Sequence, residues 1–402
     1  MKRIYFDYAA STPVNKEVLK AMRPYFNKVY ANAAATHWFG QQASAAVFEA
    51  RQKIAKALNC DYKEIVFTGS ATEANNLALR GIISNFKIQI SKKQKPRIIT
   101  SVIEHESVLE TCKDLEERGL AEVIYIPVTK DGIVNVDKLK AALNEKTVLI
   151  SIMYANNQIG TVQPIREISR AIAEFKSLLN PNHYTPNPLF HTDAVQAFQF
   201  LKCDVQELGV DLLTLSAHKI YGPKGIGVLY VKKGNSSLTP NFYNLAPITT
   251  GGGQEWGLRS GSENVSSIVG FGKAVEITES SRVSEFKRLK ALRDYFWKNL
   301  KKILPEAELN GSMNERLPNN LNIYFPGRPS QDLHIELDLW GIATSAGAAC
   351  ASRLCKPSYV IEALGYKDDR ANSSLRLSFG RSTTKAEVDL ALTIFKKRFR
   401  IN

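Results

Sequence analysis

The sequence predicts an α/β protein built on a largely parallel sheet with helices on both faces, followed by a smaller α+β unit. Short apolar runs at 64–67, 97–101, 121–127, 148–153, 210–215 and 228–231 read as strands. Segments of helical period separate them, at 136–143 and 165–178 for example, and strands that alternate with helices pair in parallel through crossover connections. The third observation is where the chemistry-bearing residues fall. Thr72, His105, Asn157, Asp193 and Lys219 each lie where such a strand gives way to a loop. In sheets of this kind ligands sit beyond the carboxyl ends of the strands, so these loops are expected to converge on one edge.

The chain has 402 residues, 44% hydrophobic and 23% charged, which is a globular composition with ample length for an interior core. No run approaches the ~18 apolar residues of a membrane span. Met1, Lys2 and Arg3 lead almost directly into a strand at 4–8, so no secretory leader is expected and the protein reads as cytoplasmic. A net charge of +14 would suit an acidic or nucleic-acid partner. The basic residues are dispersed, however, with modest clusters at 92–95 and 396–400 that belong to no nucleic-acid-binding motif. A solvated basic surface is therefore expected, with no membrane and no direct nucleic acid; salt-dependent binding would test a tRNA partner. The five cysteines, Cys60, Cys112, Cys203, Cys350 and Cys355, are odd in number and scattered. That argues against a disulfide framework and fits a reducing compartment.

Taken in order, the strand at 4–8 leaves as the loop Asp7 to Pro13, and a helix is expected over 14–26 from the spacing of Val18, Leu19, Met22 and Phe26. A second helix is expected over 41–58. The strand at 64–67 runs into a turn of small and hydroxyl residues from Thr68 to Asn76. Such a turn offers N–H groups and the positive end of a helix dipole to an anion, and Ser70 or Thr72 could equally be a plain N-cap with Glu73 in the first turn. The basic stretch 87–95 reads as a surface linker. His105 ends a strand and opens a helix. Asn156-Asn157 is by itself a turn signal, and the proline-rich 180–188 reads as an insertion without an assigned role.

Asp193 and Gln196 follow a strand end at Phe190 to Thr192. Lys219 then stands beside Ser216 and His218, between the strands at 210–215 and 228–231. A buried lysine loses part of its preference for the protonated state and becomes a nucleophile or a Schiff-base partner. A hairpin with Gly222, Gly225 and Gly227 is the plainer reading of the same residues. A carboxylate for a pyridinium nitrogen followed by a lysine for a Schiff base is, however, the pairing that pyridoxal 5'-phosphate (PLP) requires. From Val265 onward a long helix, segments at 321–325 and 332–339 and a strand at 374–378 form the smaller α+β unit. Cys350 stands among Ser345, Ala346, Gly347, Ala348 and Ala349, small residues that make an accessible loop in which a thiol can react. A buried thiol, or a metal pair with Cys355 that lacks a second ligand pair, are the alternatives.

The combination Asp193, Gln196 and Ser216-Ala217-His218-Lys219 resembles the class V aminotransferases, and within them the cysteine desulfurases of the NifS/IscS type. The resemblance runs through nearly the whole chain. Asp7 to Pro13 is similar to the family's opening, and Asn32 to His37 matches Asn-Pro-Ser-Ser-x-His with Ala33, Ala34 and Ala35 in place of the proline and serines. Glu104-His105 matches Glu-His-x-Ala-Val, and Asn156 to Gly160 matches Asn-Asn-Glu-x-Gly. Thr250 to Asn264 follows the family's glycine-rich segment, with Trp256 where the family has arginine. Ser345 to Cys350 matches Ser-Ser-Gly-Ser-Ala-Cys with Ala346 and Ala348 for two serines, and Pro357 to Val360 continues the register. Arg376 sits in Ser-x-Arg-x-Ser-x-Gly-Arg.

The resemblance implies the PLP-dependent transferase fold, similar to aspartate aminotransferase. Its large domain, with a mostly parallel seven-stranded sheet, would span 16–263, and its small domain 1–15 and 264–402. It implies PLP bound through Ala71, Thr72, His105, Asn157, Asp193, Gln196, Ser216, His218 and Lys219, with His105 stacked on the ring. It also implies a homodimer in which Ser262 reaches the neighbouring subunit's cofactor phosphate. The substrate would be L-cysteine, its carboxylate held by Asn157 and Arg376. Lys219 would move the Cα proton with possible help from His105, and Cys350 would take the sulfur as a persulfide. Sulfur would pass to an iron–sulfur scaffold or another acceptor protein, or serve tRNA thiolation. A selenocysteine lyase or an aminotransferase would keep Lys219 and Asp193 without needing Cys350, and Cys355 could resolve a persulfide or be inert.

Overall fold

A computed structural model describes residues 3–89, 95–179, 187–233, 245–347 and 357–399. The chain opens with β1 (Ile4–Tyr5), α1 (Lys16–Met22), α2 (Pro24–Asn27) and α3 (Trp38–Leu58). The alternating region follows: β2 (Ile65–Thr68), α4 (Ala71–Gln89), β3 (Arg97–Ser101), α5 (Glu106–Glu117), β4 (Glu122–Ile126) and α6 (Val136–Ala142). It continues through β5 (Thr147–Ser151), α7 (Ile165–Leu178), β6 (Leu189–Asp193), α8 (Val205–Leu208), β7 (Leu212–Ser216) and β8 (Gly227–Val231). The last part holds α9 (Val265–Ile303), β9 (Glu308–Leu309), β10 (Asn320–Tyr324), α10 (Ser330–Leu339) and β11 (Ile342–Ala343). It ends with α11 (Tyr359–Ala363), α12 (Asp368–Asn372), β12 (Ser374–Ser378) and α13 (Lys385–Arg398).

The expected sheet is present, with seven strands in the order β2-β8-β7-β6-β5-β3-β4. All pairs are parallel except those made by β8, which runs antiparallel to both β2 and β7. Successive side chains of a strand point to opposite faces, and the strands use both faces for apolar packing. Phe67, Ile99, Ile150, Phe190, Leu213 and Tyr230 join one core with Ile54 of α3, Ile168 of α7 and Phe271 of α9. Their neighbours Val66, Ile98, Leu149, Leu189, Leu212 and Leu229 join the other with Leu77 of α4 and Val108 of α5. Strands buried on both faces read as unbroken apolar runs, which is why the sequence reveals them.

Two helices differ from expectation at their ends. The segment expected as one helix over 14–26 is α1 and α2, because Pro24 opens a new first turn, where its missing N–H costs nothing. Helix α3 starts at Trp38 rather than 41, capped by His37, whose Nδ1 accepts from Gly40 N at 3.2 Å. The three alanines before it sit in a loop closed by Asn32, whose side chain accepts from Ala34 N at 2.9 Å.

The smaller sheet, β12-β10-β9, is antiparallel. Strand β1 pairs in parallel with β11, Ile4 opposite Ile342, and Asp7 bridges to Ser378. The first residues therefore pack with the last part of the chain, and the loop that follows β1 is delivered to the end of the large sheet. Helix α9 lies against α1, α3 and α13. The glycine-rich segment before α9 is anchored by a buried ion pair, Arg51 Nη2 to Glu255 Oε1 at 2.6 Å. Glu255 and Trp256 both adopt left-handed backbone, φ 50° and 63°. The Arg51 guanidinium carbon stands over two rings, 4.6 Å from the centre of Phe67 and 5.5 Å from that of Trp256. The tryptophan thus covers a buried cation. Among the described residues no helix is long and apolar enough to cross a membrane.

Candidate active site

One cavity of about 300 Å³ opens where the parallel strands end, and it gathers most of the residues singled out from the sequence. Ala71 and Thr72 open α4 just after β2, His105 comes from the turn after β3, and Asn157 from the loop after β5. Asp193 and Gln196 come from the end of β6, His218 and Lys219 from the turn after β7, and Arg376 from β12. Ser216 does not line the cavity; its hydroxyl bonds His218 Nδ1 at 2.7 Å. Ser262 lies beside a second, smaller cavity of about 110 Å³, together with Thr68, Gly69 and Glu263. Cys350, Cys355 and Ala348 lie outside the described residues.

Lys219 ends a single 3₁₀ turn, Ala217–Lys219, in the connection of the hairpin that the glycines also allowed, since β7 and β8 pair antiparallel from Leu212 opposite Val231 to Ser216 opposite Gly227. Its Nζ donates to the carbonyls of Ala9 at 2.7 Å and Ala10 at 2.8 Å. Gln196 Nε2 also donates to the Ala9 carbonyl, at 3.0 Å. Thr12 ties the same loop down, donating to the His218 carbonyl at 2.8 Å and accepting from Tyr221 N at 2.9 Å. The loop after β1 therefore covers the amine. His218 is pushed down to about 4 by burial, with Lys219 and Lys224 adding to the effect.

The turn after β2 starts α4 with Ser70 as its cap: Ser70 Oγ accepts from Glu73 N at 3.1 Å, and Glu73 Oε2 from Gly69 N at 2.7 Å. The plain capping reading is thus realised by Ser70, while Ala71 and Thr72 line the cavity. The turn packs directly on β8. A Cβ at Gly227 would stand 2.5 Å from the Ser70 carbonyl carbon and 2.8 Å from Ala71 N, so only glycine permits the approach.

Asp193 is buried at the end of β6. Its Oδ1 accepts from Val195 N at 3.0 Å and its Oδ2 from Asn75 Nδ2 at 2.8 Å. His105 caps α5, its Nδ1 accepting from Ser107 N at 3.1 Å. Beneath it Glu104 is fully buried and pushed up to about 8 by desolvation, against hydrogen bonds from Ser101 and Met153 N that lower it. His191, buried under the sheet end between Ser151 and Thr214, is pushed down to about 4 by burial.

Arg376 is 2% exposed. Its Nη2 pairs with Asp7 Oδ1 at 2.7 Å and its Nη1 donates to the Asn157 carbonyl at 2.9 Å. A guanidinium this buried needs a counter-charge, and the loop after β1 supplies it. Tyr359, the first residue of α11, lines the cavity and donates to the Glu104 carbonyl at 2.7 Å. Asp7, Asn75, Ser107 and Tyr359 were not singled out as site residues. All four stand in the sequence only as members of wider segments: Asp7 and Tyr359 in matching motifs, Ser107 at the alanine position of Glu-His-x-Ala-Val, and Asn75 in the turn from Thr68 to Asn76.

These residues fit PLP. A helix N-terminus with N–H groups and a hydroxyl suits its phosphate, a buried carboxylate its ring nitrogen, and an amine its aldehyde carbon. Two buried polar atoms of lining residues, Asn157 Oδ1 and Arg376 Nε, have no hydrogen-bond partner among the described residues, as expected where a polar ligand completes the site.

Comparison with known proteins agrees. Residues 4–391 match the family described as "Aminotransferase class-V". A cysteine desulfurase IscS from Dictyoglomus turgidum is 42% identical over 398 residues, spanning 99% of this chain and 95% of its own. The mitosomal cysteine desulfurase of Encephalitozoon cuniculi is 43% identical, spanning 97% of this chain and 85% of its own. Among solved structures, a NifS-like protein superposes with a TM-score of 0.88 at 34% identity, covering 99% of both chains. SspA in complex with cysteine gives 0.77 at 36% identity, covering 94% of this chain and 98% of its own. The chain belongs to the class-V aminotransferase family of PLP-dependent enzymes, and within it to the cysteine desulfurases of the NifS/IscS type.

Proposed function

We propose that this enzyme converts L-cysteine to L-alanine and carries the released sulfur on Cys350 as a persulfide. The observation that carries the reading is that Lys219 from the turn after β7, Asp193 from β6 and Arg376 from β12 meet in one cavity. PLP would be held by Lys219 at its aldehyde carbon and Asp193 at its ring nitrogen. Ala71 N–H, Thr72, Ser216 and His218 would serve its phosphate, Asn157 its phenolic oxygen with Gln196 alongside, and His105 would cover the ring. When bound, PLP supplies an electron sink that lets the substrate's Cα proton leave.

Arg376 and Asn157 bind the substrate carboxylate and fix the orientation of the amino acid. The Lys219 amine takes the Cα proton. The Cys350 thiolate forms a bond to the substrate sulfur as the Cβ–S bond breaks, and the carbon remainder takes up protons to leave as alanine. No external oxidant is needed, because the electron pair of the broken Cβ–S bond stays with the carbon: the sulfur is oxidised to the persulfide level as the carbon is reduced. That SspA is solved with cysteine bound supports the substrate. We further propose a cytoplasmic homodimer in which Ser262 completes the partner's phosphate site. The persulfide would then feed an iron–sulfur scaffold or another acceptor protein.

The test is to incubate the protein with L-cysteine and a reductant and measure alanine and sulfide together. Equal amounts are expected, lost in Lys219→Ala and in Cys350→Ala. Alanine release that survives Cys350→Ala would replace the persulfide route with one of the lyase or aminotransferase kind.

A further inference from the structure

Asn75 and Ser107 lie outside every role assigned above, yet they join two residues of the site. Asn75 is fully buried on α4. Its Nδ2 donates both to Asp193 Oδ2 and to Ser107 Oγ, each at 2.8 Å. Ser107 Oγ in turn stands 2.9 Å from His105 Nδ1. The direction of this chain of bonds is set by chemistry. A carboxylate can only accept, so Asn75 must turn its amide nitrogen toward Asp193. That nitrogen then also donates to Ser107, whose oxygen accepts and whose one hydrogen is left for His105 Nδ1. The Ser107 backbone N–H points at the same Nδ1, at 3.1 Å. An imidazole nitrogen that accepts from two donors carries no hydrogen.

We infer that Asn75 and Ser107 are positioning residues that fix the neutral His105 ring as its Nε2–H tautomer and couple that choice to Asp193. His105 thus offers the cavity a hydrogen-bond donor rather than a base, and the proton of the substrate's Cα is left to Lys219. The same Asn75 amide supports one oxygen of the carboxylate meant for the PLP ring nitrogen. One helix residue therefore orients both the group that would cover the ring and the group that would hold its nitrogen. This rests on the PLP reading above only for that last step; the tautomer is a property of the protein alone.

The test uses the full chain labelled with ¹³C,¹⁵N-histidine, with and without PLP. The resonances of His105 are assigned among the six histidines by their loss in His105→Gln. The Nε2–H pattern is expected in the wild type and in Ser107→Thr, which keeps the hydroxyl. Ser107→Ala loses the hydroxyl but keeps the backbone N–H at 3.1 Å, so its Nδ1–H population should rise only in part. Asn75→Asp draws the Ser107 hydrogen to the new carboxylate and turns its oxygen to accept, so it should raise the Nδ1–H form further, with the other histidines unchanged. Asn75→Asp also replaces a donor with a second carboxylate, so its PLP dissociation constant, read from the visible absorbance, should rise about tenfold or more. Ser107→Ala should leave it within about twofold. An Nδ1–H ring in the wild type overturns the inference. So does an Asn75→Asp protein whose His105 signals and PLP affinity both match the wild type. Because the tautomer is read without PLP, a chain that bound no PLP or released no alanine would sink the functional reading and leave this one standing.

Discussion

At the scale of single residues the site is built from charges that answer one another before any ligand arrives. Arg376 shows this best. Its guanidinium has Asp7 at 2.7 Å and the Asn157 carbonyl at 2.9 Å, and its Nε has no hydrogen-bond partner among the described residues. Asp7 compensates the buried cation, while the unpaired Nε and the cavity it lines leave room for a substrate carboxylate. Lysine at this position would keep a charge for Asp7 but lose the planar fork that grips a carboxylate with two parallel bonds. Arg376→Lys should therefore fold, bind PLP, and raise the KM for cysteine by about tenfold or more, the equivalent of ~1.4 kcal/mol. Its kcat should fall by a smaller factor, because the contact holds ground state and transition state alike. Steady-state kinetics decide it: an unchanged KM would remove Arg376 from substrate binding.

At the scale of elements, function depends on how closely a strand can approach a turn. Strand β8 lies against the Ser70-Ala71 turn that opens α4, and a Cβ on Gly227 would meet main-chain atoms of that turn at 2.5–2.8 Å. Backbone cannot swing aside like the end of a long side chain, so Gly227→Ala must displace the turn. Displacement weakens the N–H and hydroxyl donors meant for the phosphate, and each charge-assisted bond is worth about 1.5–3 kcal/mol. PLP affinity should fall about tenfold or more, which fluorescence titration of the PLP-free protein would measure. An unchanged affinity would mean that the phosphate sits elsewhere. This glycine was legible as a turn residue, but its reason was not. The strands were legible because β2, β3, β5, β6 and β7 are apolar on both faces, and their ends placed Thr72, His105, Asn157, Asp193 and Lys219 correctly at one edge. What the sequence hid is contact across long separations. Asp7 meets Arg376 across 369 residues and Asn75 meets Asp193 across 118, and no local period records either.

At the scale of the whole molecule, burying these groups under the sheet makes stability depend on pH in both directions. His191 and His218 are each pushed from 6.5 down to about 4, mainly by burial. Below 6.5 the unfolded chain binds protons that the folded one refuses, so their stabilisation is present above 6.5 and is lost as pH falls through about 4. Glu104 acts in the opposite sense, raised by burial from 4.5 to about 8. Between those values the folded chain holds a proton that the unfolded chain releases. Its stabilisation is therefore complete below 4.5 and is lost as pH rises through about 8. Each group contributes a slope of about 1.4 kcal/mol per pH unit within its window. Among the described residues only Glu104 acts from 8 down to 6.5, and stability should rise. Below 6.5 the two histidines outweigh it and stability should fall. Urea unfolding of the PLP-free protein is accordingly expected to show its highest midpoint near pH 6.5. Glu104→Gln should flatten the alkaline side and His191→Gln about half of the histidine contribution on the acid side. A midpoint that kept rising to pH 8, or an alkaline side untouched by Glu104→Gln, would show that the buried glutamate is already ionised at neutral pH. The cluster beneath His105 would then be held by Ser101 and Met153 N strongly enough to overcome its burial.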